Sequence, residues 1–289
     1  MLFIYFNIFF KFNLFFLYYK LVENTTISAR YKPKHGLCFH IKTLNNNILF
    51  DLGSDDLFII NAIKLNIYIS EVDTVIISHD HNDHGGGLSA FLLHNKKAKI
   101  YIHKNAFTPH YASILGLFKH SIGLDSKLQN NNRIVLLDGN FNIDDELYLF
   151  SNIKTKNLMP TSNKVLLMKI NNEYLQDDFS HEQNLIIKEN NKYTLLAGCA
   201  HNGIVNIVEK AEDIICSNLN TVISGFHLFN RFTKKSEDPK LINNISTALK
   251  GKKTIFYTCH CSGIKPFNIL QEKLGDQIKY LSTGQVIDV

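Results

Sequence analysis

The fold of this chain is decided by the stretch Ser78-His79-Asp80-His81-Asn82-Asp83-His84-Gly85-Gly86-Gly87. The six positions from His79 to His84 hold three imidazoles and two carboxylates, which are groups that zinc, iron and manganese accept as ligands. The apolar run before them, Val75-Ile76-Ile77, is typical of a buried strand, and the glycines after them allow a tight turn. This order predicts a metal site on the loop that leaves the strand.

Four side chains of this loop are predicted metal ligands: His79, His81, Asp83 and His84. His79 and His81 lie two positions apart at the end of a strand, so their side chains can point the same way. Asp83 and His84 follow on the turn. A solvated polar loop is the alternative interpretation, but it does not explain why the cluster stands between an apolar strand and three glycines.

The pattern HxHxDH after an apolar strand resembles the signature of the metallo-β-lactamase superfamily. There the first two histidines serve one metal and the Asp-His pair serves a second. The run Ile48-Leu49-Phe50-Asp51-Leu52-Gly53 is similar to the superfamily's early strand that ends in Asp-Thr-Gly, with Leu52 in place of Thr. Asp51 is then expected to orient a ligand. The resemblance implies an α/β fold of four layers, helix, sheet, sheet and helix (an αββα sandwich).

Further motifs resemble a narrower group, which carries the name of the dihydropterin-ribofuranosyl-aminobenzene-phosphate synthases and includes metal-dependent hydrolases. They are Gly198-Cys199-Ala200-His201-Asn202-Gly203, Ser224-Gly225-Phe226-His227-Leu228 and Cys259-His260-Cys261-Ser262-Gly263, with Val22-Glu23-Asn24-Thr25 and His35-Gly36-Leu37 near the start. These motifs are typical of the group but do not specify a substrate. Glu23 and His35 are expected near the pocket through this resemblance alone.

Strand-like segments recur along the chain, and several end in a loop that carries a histidine. They are predicted at residues 37–41, 47–50, 74–77, 98–102, 164–169, 185–188, 193–197, 221–224 and 253–257. Helices are predicted at residues 86–94, 205–217, 239–249 and 266–274, where apolar residues recur at three- and four-residue spacing.

Two metals need more ligands than the first loop supplies. His201 and His260 are predicted ligands because each ends an apolar strand beside small residues that leave room for an ion. His181 precedes a hairpin much as the superfamily's third metal histidine does, and this resemblance makes it a predicted ligand. The superfamily's bridging Asp is replaced by Cys199. Either His201 replaces that carboxylate or the second metal is bound more weakly.

The expected chemistry is metal-assisted hydrolysis, in which a metal pair or one strongly bound ion makes hydroxide available near neutral pH. Zn²⁺, as one or two ions, is the expected cofactor, with Mn²⁺ or iron as alternatives. Asp83 is expected to combine ligation with orientation of the nucleophile. His227 is expected to protonate the leaving group or to hold a phosphate.

Three functions are compatible with these motifs. The first is a hydrolase of a phosphate ester or cyclic phosphodiester. The second is the transferase activity carried by the narrower group's name, which joins a dihydropterin to a ribosyl-aminobenzene phosphate. The third is an iron-binding redox protein, which the lack of a flavodoxin-like segment in the sequence disfavours. The motifs do not distinguish the first two.

Composition limits the class of protein. A chain of 289 residues with 45% apolar content can bury a full core, and residues 20–289 are predicted to form one domain. The net charge of +5 comes from scattered lysines, so the expected partner is a small anionic molecule and not nucleic acid. Homo-oligomerisation is left open.

The five cysteines form no CxxC pair, which favours a reducing, cytoplasmic location. Cys259 and Cys261 flank His260, and both are expected to point away from its imidazole if the segment is extended.

The N-terminal segment, residues 1–19, is strongly apolar and is predicted to be an extension outside the core fold. It lacks a basic start and a cleavage site of the kind that signal peptides carry. Asn7, Lys11 and Asn13 interrupt a length that is barely sufficient to cross a membrane. A membrane anchor is the alternative interpretation, and membrane contact is expected only in that case.

Overall fold

The structure is a computed structural model that describes residues 16–114 and 116–289. Residues 1–15 of the predicted extension (residues 1–19) lie outside the described residues. The first strand begins at Leu17 and pairs with two other strands of its sheet. The core fold therefore starts before the predicted boundary at Lys20.

The strands follow one another along the whole described chain. In chain order they are β1 (Leu17–Val22), β2 (Cys38–Lys42), β3 (Asn47–Phe50), β4 (Thr74–Ile76), β5 (Lys99–His103), β6 (His110–Ile114), β7 (Phe118–Ser121), β8 (Ile134–Leu137), β9 (Phe141–Asn142), β10 (Leu147–Phe150), β11 (Leu166–Ile170), β12 (Glu173–Gln176), β13 (Asn184–Glu189), β14 (Lys192–Leu196), β15 (Thr221–Ser224), β16 (Phe229–Asn230), β17 (Lys235–Ser236), β18 (Ile255–Thr258), β19 (Ile278–Tyr280) and β20 (Val286–Asp288).

The helices are short and lie between these strands. They are α1 (Leu57–Lys64), α2 (Asn82–Gly85), α3 (Leu88–His94), α4 (Ile204–Ile215), α5 (Pro239–Lys250) and α6 (Ile264–Leu274). Turns of 3₁₀ helix lie at Ile69–Glu71, Lys104–Phe107, Ser126–Asn130, Thr161–Val165, His260–Ser262 and Gly275–Gln277.

Two seven-stranded sheets form the centre of the fold, in the orders β20-β1-β2-β3-β4-β5-β8 and β19-β18-β15-β14-β13-β10-β9. In the first sheet, β3, β4, β5 and β8 are parallel to their neighbours in that run. In the second, β14, β15, β18 and β19 form the parallel part. Loops that leave the carboxyl ends of these parallel strands carry the histidine motifs.

Three layers of buried apolar side chains show the predicted αββα sandwich. One layer, which includes Phe58 and Phe91, packs α1 and α3 against the first sheet. A second, with Phe50 and Leu196, lies between the two sheets. The third packs α4, α5 and α6 against the second sheet. The prediction of a four-layer α/β fold is confirmed.

Helix α4 illustrates how the sequence specifies an outer layer. Ile204, Ile207, Val208 and Ala211 recur at three- and four-residue spacing and are all buried. They form one apolar stripe, and this stripe faces the second sheet within the third core layer. On the opposite face Glu209 and Asp213 are exposed, so this side of the helix lies on the surface.

Two smaller sheets, which were not predicted, lie beside the central ones. A four-stranded sheet has the order β12-β11-β6-β7, and β16 pairs with β17. The strand predicted at residues 164–169 is therefore an element of this small sheet, as β11. Within residues 16–114 and 116–289, no helix has the length and apolar character needed to span a bilayer.

Candidate metal centre

The predicted ligands come from both central sheets. His79, His81, Asp83 and His84 follow β4 of the first sheet, whereas His201 and His260 follow β14 and β18 of the second. Gly198 allows the two loops to meet, because a Cβ at this position would overlap the side chain of Ser78. The site therefore lies where the loops of the two sheets face each other.

A first donor set consists of His79, His81 and His201. Their ligand nitrogens all lie within 4.8 Å of one another, and His79 Nε2 is 3.1 Å from His81 Nδ1. The His201 ring stacks on Phe179, with 4.7 Å between centroids and 4° between planes. Two nitrogens bound to one tetrahedral zinc lie about 3.3 Å apart. The spacing of His79 and His81 therefore suits a shared ion.

A second donor set is formed by Asp83, His84 and His260, with Cys199 beside them. His84 Nε2 lies 3.2 Å from His260 Nε2 and 3.1 Å from Cys199 Sγ. His260 Nε2 lies 3.2 Å from Asp83 Oδ2. Nitrogen, oxygen and sulfur donors thus converge on one point, next to the first donor set.

The outer nitrogens of four histidines contact protein acceptors, which leaves their inner nitrogens free. His79 Nδ1 lies 2.9 Å from Ser78 Oγ, and His84 Nδ1 lies 2.6 Å from Asp51 Oδ2. His201 Nδ1 and His260 Nδ1 face amide oxygens of asparagines, at 3.0 Å and 3.2 Å. Contacts of this kind select the tautomer in which Nε2 carries a lone pair for a metal.

Asp51 is buried and holds the loop as well as His84. Its Oδ1 accepts from the backbone N–H of Ser78 at 2.7 Å, and its Oδ2 accepts from Ser78 Oγ at 2.8 Å. Asp51 itself has φ 58°, a left-handed conformation that Asp adopts more easily than most residues. The structure thus gives Asp51 the orienting position that the resemblance implied.

Burial keeps the first donor set uncharged near neutral pH. It lowers the pKa of His79 and of His201 well below the usual value, and neighbouring imidazoles lower both further. Burial also lowers the pKa of His81, to about 4. Neutral imidazole is the form that binds a metal.

Charge distinguishes the second donor set. Burial opposes ionisation of Asp83, but His84, His260 and His35 outweigh it and hold the pKa of Asp83 well below its usual range. Asp83 Oδ2 lies 2.9 Å from His35 Nε2. Asp83 is therefore an anionic donor at the edge of the cavity.

These residues fit a pair of divalent ions. His201 Nε2 is buried and has no hydrogen-bond partner among the described residues, although the opposite nitrogen of its ring has one. A buried nitrogen without a partner is rare in proteins. A metal bound between this nitrogen and the two other ligand nitrogens would explain it.

His181, a predicted ligand, lies in an adjoining buried cluster instead. Its Nδ1 is 3.2 Å from Asp80 Oδ1 and its Nε2 is 3.2 Å from Asp177 Oδ2. Burial disfavours a charge on His181, but Asp80 and Asp177 outweigh it and raise its pKa to about 9. The His110 ring packs against it at 49°, with 4.4 Å between ring centroids. Both ring nitrogens thus face carboxylates, and the role of His181 as a metal ligand stays a prediction.

Cys199 and His201 both lie among the donors. His201 groups with His79 and His81, and also with Cys199 and His227. Cys199 Sγ lies beside His84 Nε2. The expectation for the flanking cysteines was half right. Cys259 Sγ accepts from Lys20 Nζ at 3.1 Å, away from the site, whereas Cys261 lies among the donors.

Glu23 and Asn24 bind the loop that carries His260. Glu23 is fully buried, and its Oε1 accepts from the backbone N–H of His260 at 2.8 Å and from Tyr280 Oη at 2.8 Å. Asn24 Nδ2 donates to the carbonyl of His260 at 3.0 Å. These contacts hold His260 at φ 54°, a strained conformation of the kind found at functional sites.

Sequence reasoning missed two residues that orient His201. Asn163 contacts its ring, and Glu182 Oε1 accepts from its backbone N–H at 2.7 Å. Glu182 is the sequence neighbour of His181, and sequence reasoning named only His181 of the two. No local signal marks Asn163.

A cavity of about 640 Å³ opens beside the two donor sets. Cys199, His260 and Cys261 lie at its base, and His227 lines its wall. The His227 ring lies 4.2 Å from that of His201, between centroids. The small sheet contributes apolar residues, among them Ala112 and Leu166. Such a cavity is of the size that holds small molecules.

The family model of the metallo-beta-lactamase superfamily matches residues 32–151, which include Asp51 and the loop from His79 to His84. Over these residues the chain is similar to that superfamily. The superfamily binds divalent metals, in agreement with the two donor sets. The matched segment ends before His201 and His260.

Solved structures with the metallo-β-lactamase fold align over nearly the whole chain. A metal-dependent hydrolase of the β-lactamase superfamily is 24% identical, with a TM-score of 0.79, over 95% of this chain and 99% of that one. Zn²⁺-bound PqqB of Methylobacterium extorquens is 10% identical, with a TM-score of 0.57, over 94% of this chain and 100% of that one. At these identities the likeness concerns the fold.

Two sequence relatives come from Methanocaldococcus jannaschii. One is 7,8-dihydropterin-6-methyl-4-(beta-D-ribofuranosyl)-aminobenzene-5'-phosphate synthase, 28% identical over 277 residues, which are 88% of this chain and 90% of that protein. The other is an uncharacterized protein, 25% identical over 277 residues, which are 93% of this chain and 99% of that protein. Both alignments thus cover most of this chain and most of the relative.

Proposed function

We propose that this protein is a metal-dependent hydrolase of a phosphate ester or cyclic phosphodiester. The observation that carries this proposal is the pair of adjacent donor sets at the base of one cavity. When bound there, two divalent ions supply Lewis-acid activation of a water molecule and of the phosphoryl group.

The charge around the cavity supports an anionic substrate. Among the described residues that line it, Asp83 is the one carboxylate, whereas Lys34 and Arg231 are cations. The other six proposed ligands at the two donor sets, five histidines and Cys199, carry at most one further negative charge. Two divalent cations would therefore leave a net positive site, which attracts and orients a phosphate.

Zinc is the proposed metal. Imidazole nitrogens and a cysteine sulfur make a donor set that suits zinc better than manganese, which prefers carboxylate and water. Elemental analysis of the purified protein distinguishes zinc from manganese or iron.

The proposed roles of the side chains follow from their places. Asp83 is an anionic donor at the cavity edge and can orient the attacking water. His227 lies on the cavity wall, with its Nδ1 unpartnered among the described residues. It has no carboxylate partner there and is proposed to donate a proton to the leaving oxygen.

Replacement of His227 by Gln is expected to lower kcat by roughly 10²- to 10⁴-fold for an ester with an alkoxide leaving group, because general acid catalysis is lost. For 4-nitrophenyl esters, whose leaving group departs without a proton, the loss should be small. The two rates and the zinc content are measured on the same protein. An equal loss with both leaving groups, or a loss of zinc, would contradict the role of proton donor.

A substrate panel tests the proposed function. Phosphomonoesters, phosphodiesters and cyclic phosphodiesters are incubated with the zinc-loaded and the chelated protein, each with and without a dihydropterin. Turnover of an ester without pterin, lost on chelation and restored by zinc, is the expected result. Failure of the zinc-loaded protein to hydrolyse any of these esters would overturn the proposal.

A synthase-type transferase is the second candidate, favoured by the 28% identity with the archaeal synthase. In this case the cavity would bind a ribosyl-aminobenzene phosphate, with its phosphate held near the metals, together with the pterin. Turnover that strictly requires the pterin in the same panel would favour this function over hydrolysis.

A further inference from the structure

Two cysteine sulfurs lie within the second donor set. The ligand atoms of Cys199, His260 and Cys261 all lie within 4.8 Å of one another. Cys199 and Cys261 are only 3% and 6% exposed. Cys199 Sγ is also 3.1 Å from His84 Nε2. Two imidazoles and two thiols therefore surround one buried point.

The backbone turns Cys261 toward this point and Cys259 away from it. The segment after β18 is a 3₁₀ turn, His260–Ser262, and His260 has φ 54°. An extended chain would place both cysteines on the face opposite the imidazole. In the observed turn, Cys259 contacts Lys20, whereas Cys261 lines the cavity beside His260.

Space for the second sulfur is provided by Gly225. A Cβ at this position would overlap Cys261 Sγ. Gly225 also donates its N–H to the carbonyl of Gly198 at 2.8 Å, which joins the loop that follows β15 to the loop that carries Cys199. The two loops are therefore fixed with respect to Cys261.

Packing alone explains the buried position of the Cys261 thiol less well than metal binding does. Its polar contact with backbone is a 3.7 Å approach to the carbonyl of Cys199, which is a weak hydrogen bond for a thiol. Cysteine in apolar surroundings behaves as a small hydrophobic residue, but Cys261 is surrounded by imidazoles and another thiol. Thiolate is a strong ligand of zinc.

We propose that Cys199 and Cys261 both supply thiolate ligands to the metal at the second donor set, together with His84 and His260. Asp83 then orients the attacking water from the cavity edge and is not a fifth ligand, and the ion held by the three histidines of the first donor set keeps the open position. Each thiol releases its proton to solvent as its sulfur–metal bond forms. The sulfur makes this position prefer zinc or cobalt over manganese. This inference rests on the metal-dependent function proposed above and names the metal class of its second position.

Cobalt substitution tests the two sulfurs separately. The full chain, kept reduced, is loaded with Co²⁺, and the sulfur-to-cobalt charge-transfer absorption in the near ultraviolet is recorded. The wild-type band should fall by about half in Cys261→Ser and in Cys199→Ser, and should vanish in the double variant. Cys259→Ser is the matched control from the other side of His260, and Cys216→Ser is an exposed control. Both should keep the full band.

X-ray absorption of the zinc-loaded wild-type protein gives an answer that no variant's folding affects. Because the signal averages over both zinc ions, two sulfurs bound to one of them are expected as an average of one sulfur per zinc at about 2.3 Å. An average of half a sulfur per zinc, or an unchanged cobalt band in Cys261→Ser, would overturn the role of Cys261. No sulfur in a protein that binds two zinc ions would overturn the inference for both cysteines and leave the hydrolase proposal standing. Failure to bind any divalent metal would instead contradict the proposed function.

Discussion

Replacement of His79 by Ala is expected to remove the metal of the first donor set and to abolish measurable turnover. His79 Nε2 lies 3.1 Å from His81 Nδ1, and the ring is fully buried, so water cannot replace it in the same geometry. Loss of a residue that only orients a ligand costs roughly 10- to 100-fold in metal affinity or activity. Loss of the ligand itself should cost more.

Metal content by elemental analysis and kcat/KM for the best ester of the panel are the two measurements. His94→Ala is the matched control, because His94 is exposed on α3 and contacts only the carbonyl of Ala90. It should retain metal and activity. Undiminished metal content in both His79→Ala and His81→Ala would show that the first donor set is assigned to the wrong residues.

Replacements of His201 and His181 by Ala are expected to have opposite effects. His201→Ala should lose one metal and nearly all turnover, because His201 completes the first donor set. His181→Ala should retain its metal ligands but lose stability. It removes a cation from between Asp80 and Asp177, and breaking a buried ion pair from one side costs about 3–5 kcal/mol.

Metal content and urea unfolding of the chelated proteins separate the two effects. In the chelated state the His201 variant should lose the packing of a buried ring on Phe179 and the contact with Asn163. The His181 variant should also leave two buried carboxylates without their cation, so it should unfold at lower urea concentration than the His201 variant. Loss of one metal equivalent from a stable His181 variant would restore His181 as a ligand.

Much of the site was predictable because its ligands lie at the ends of apolar strands. The strands predicted at residues 47–50 and 221–224 coincide with β3 and β15. The residues from His79 to His84 then follow β4, and His201 follows β14, at the carboxyl ends of the strands as predicted. Local sequence carries this information, since the end of a buried strand is visible in its hydrophobic pattern.

His181 shows what local sequence does not carry. Its position before a hairpin predicts a ligand, whereas its ring faces Asp80 and Asp177, and Asp80 is distant in sequence. The small sheet was missed for a similar reason. β7 and β12 are exposed throughout, so they lack the apolar alternation that marks a strand, and they depend on pairing with β6 and β11.

Cys261 was assigned to the wrong face because the segment was assumed to be extended. The left-handed conformation of His260 is held by Glu23 and Asn24, which lie at the opposite end of the chain. No pattern within residues 259–263 predicts that contact. Strained positions at functional sites are commonly fixed by distant partners of this kind.

The division of the donor sets between the two sheets has a thermodynamic consequence. Each donor set combines ligands from the loop after β4, in the first half of the chain, with ligands from the loop after β14 or β18, in the second half. A bound ion is therefore a cross-link that closes a loop of more than a hundred residues, as a disulfide would, but one that is reversible. Supply of metal would then set the stability of the whole sandwich as well as its chemistry.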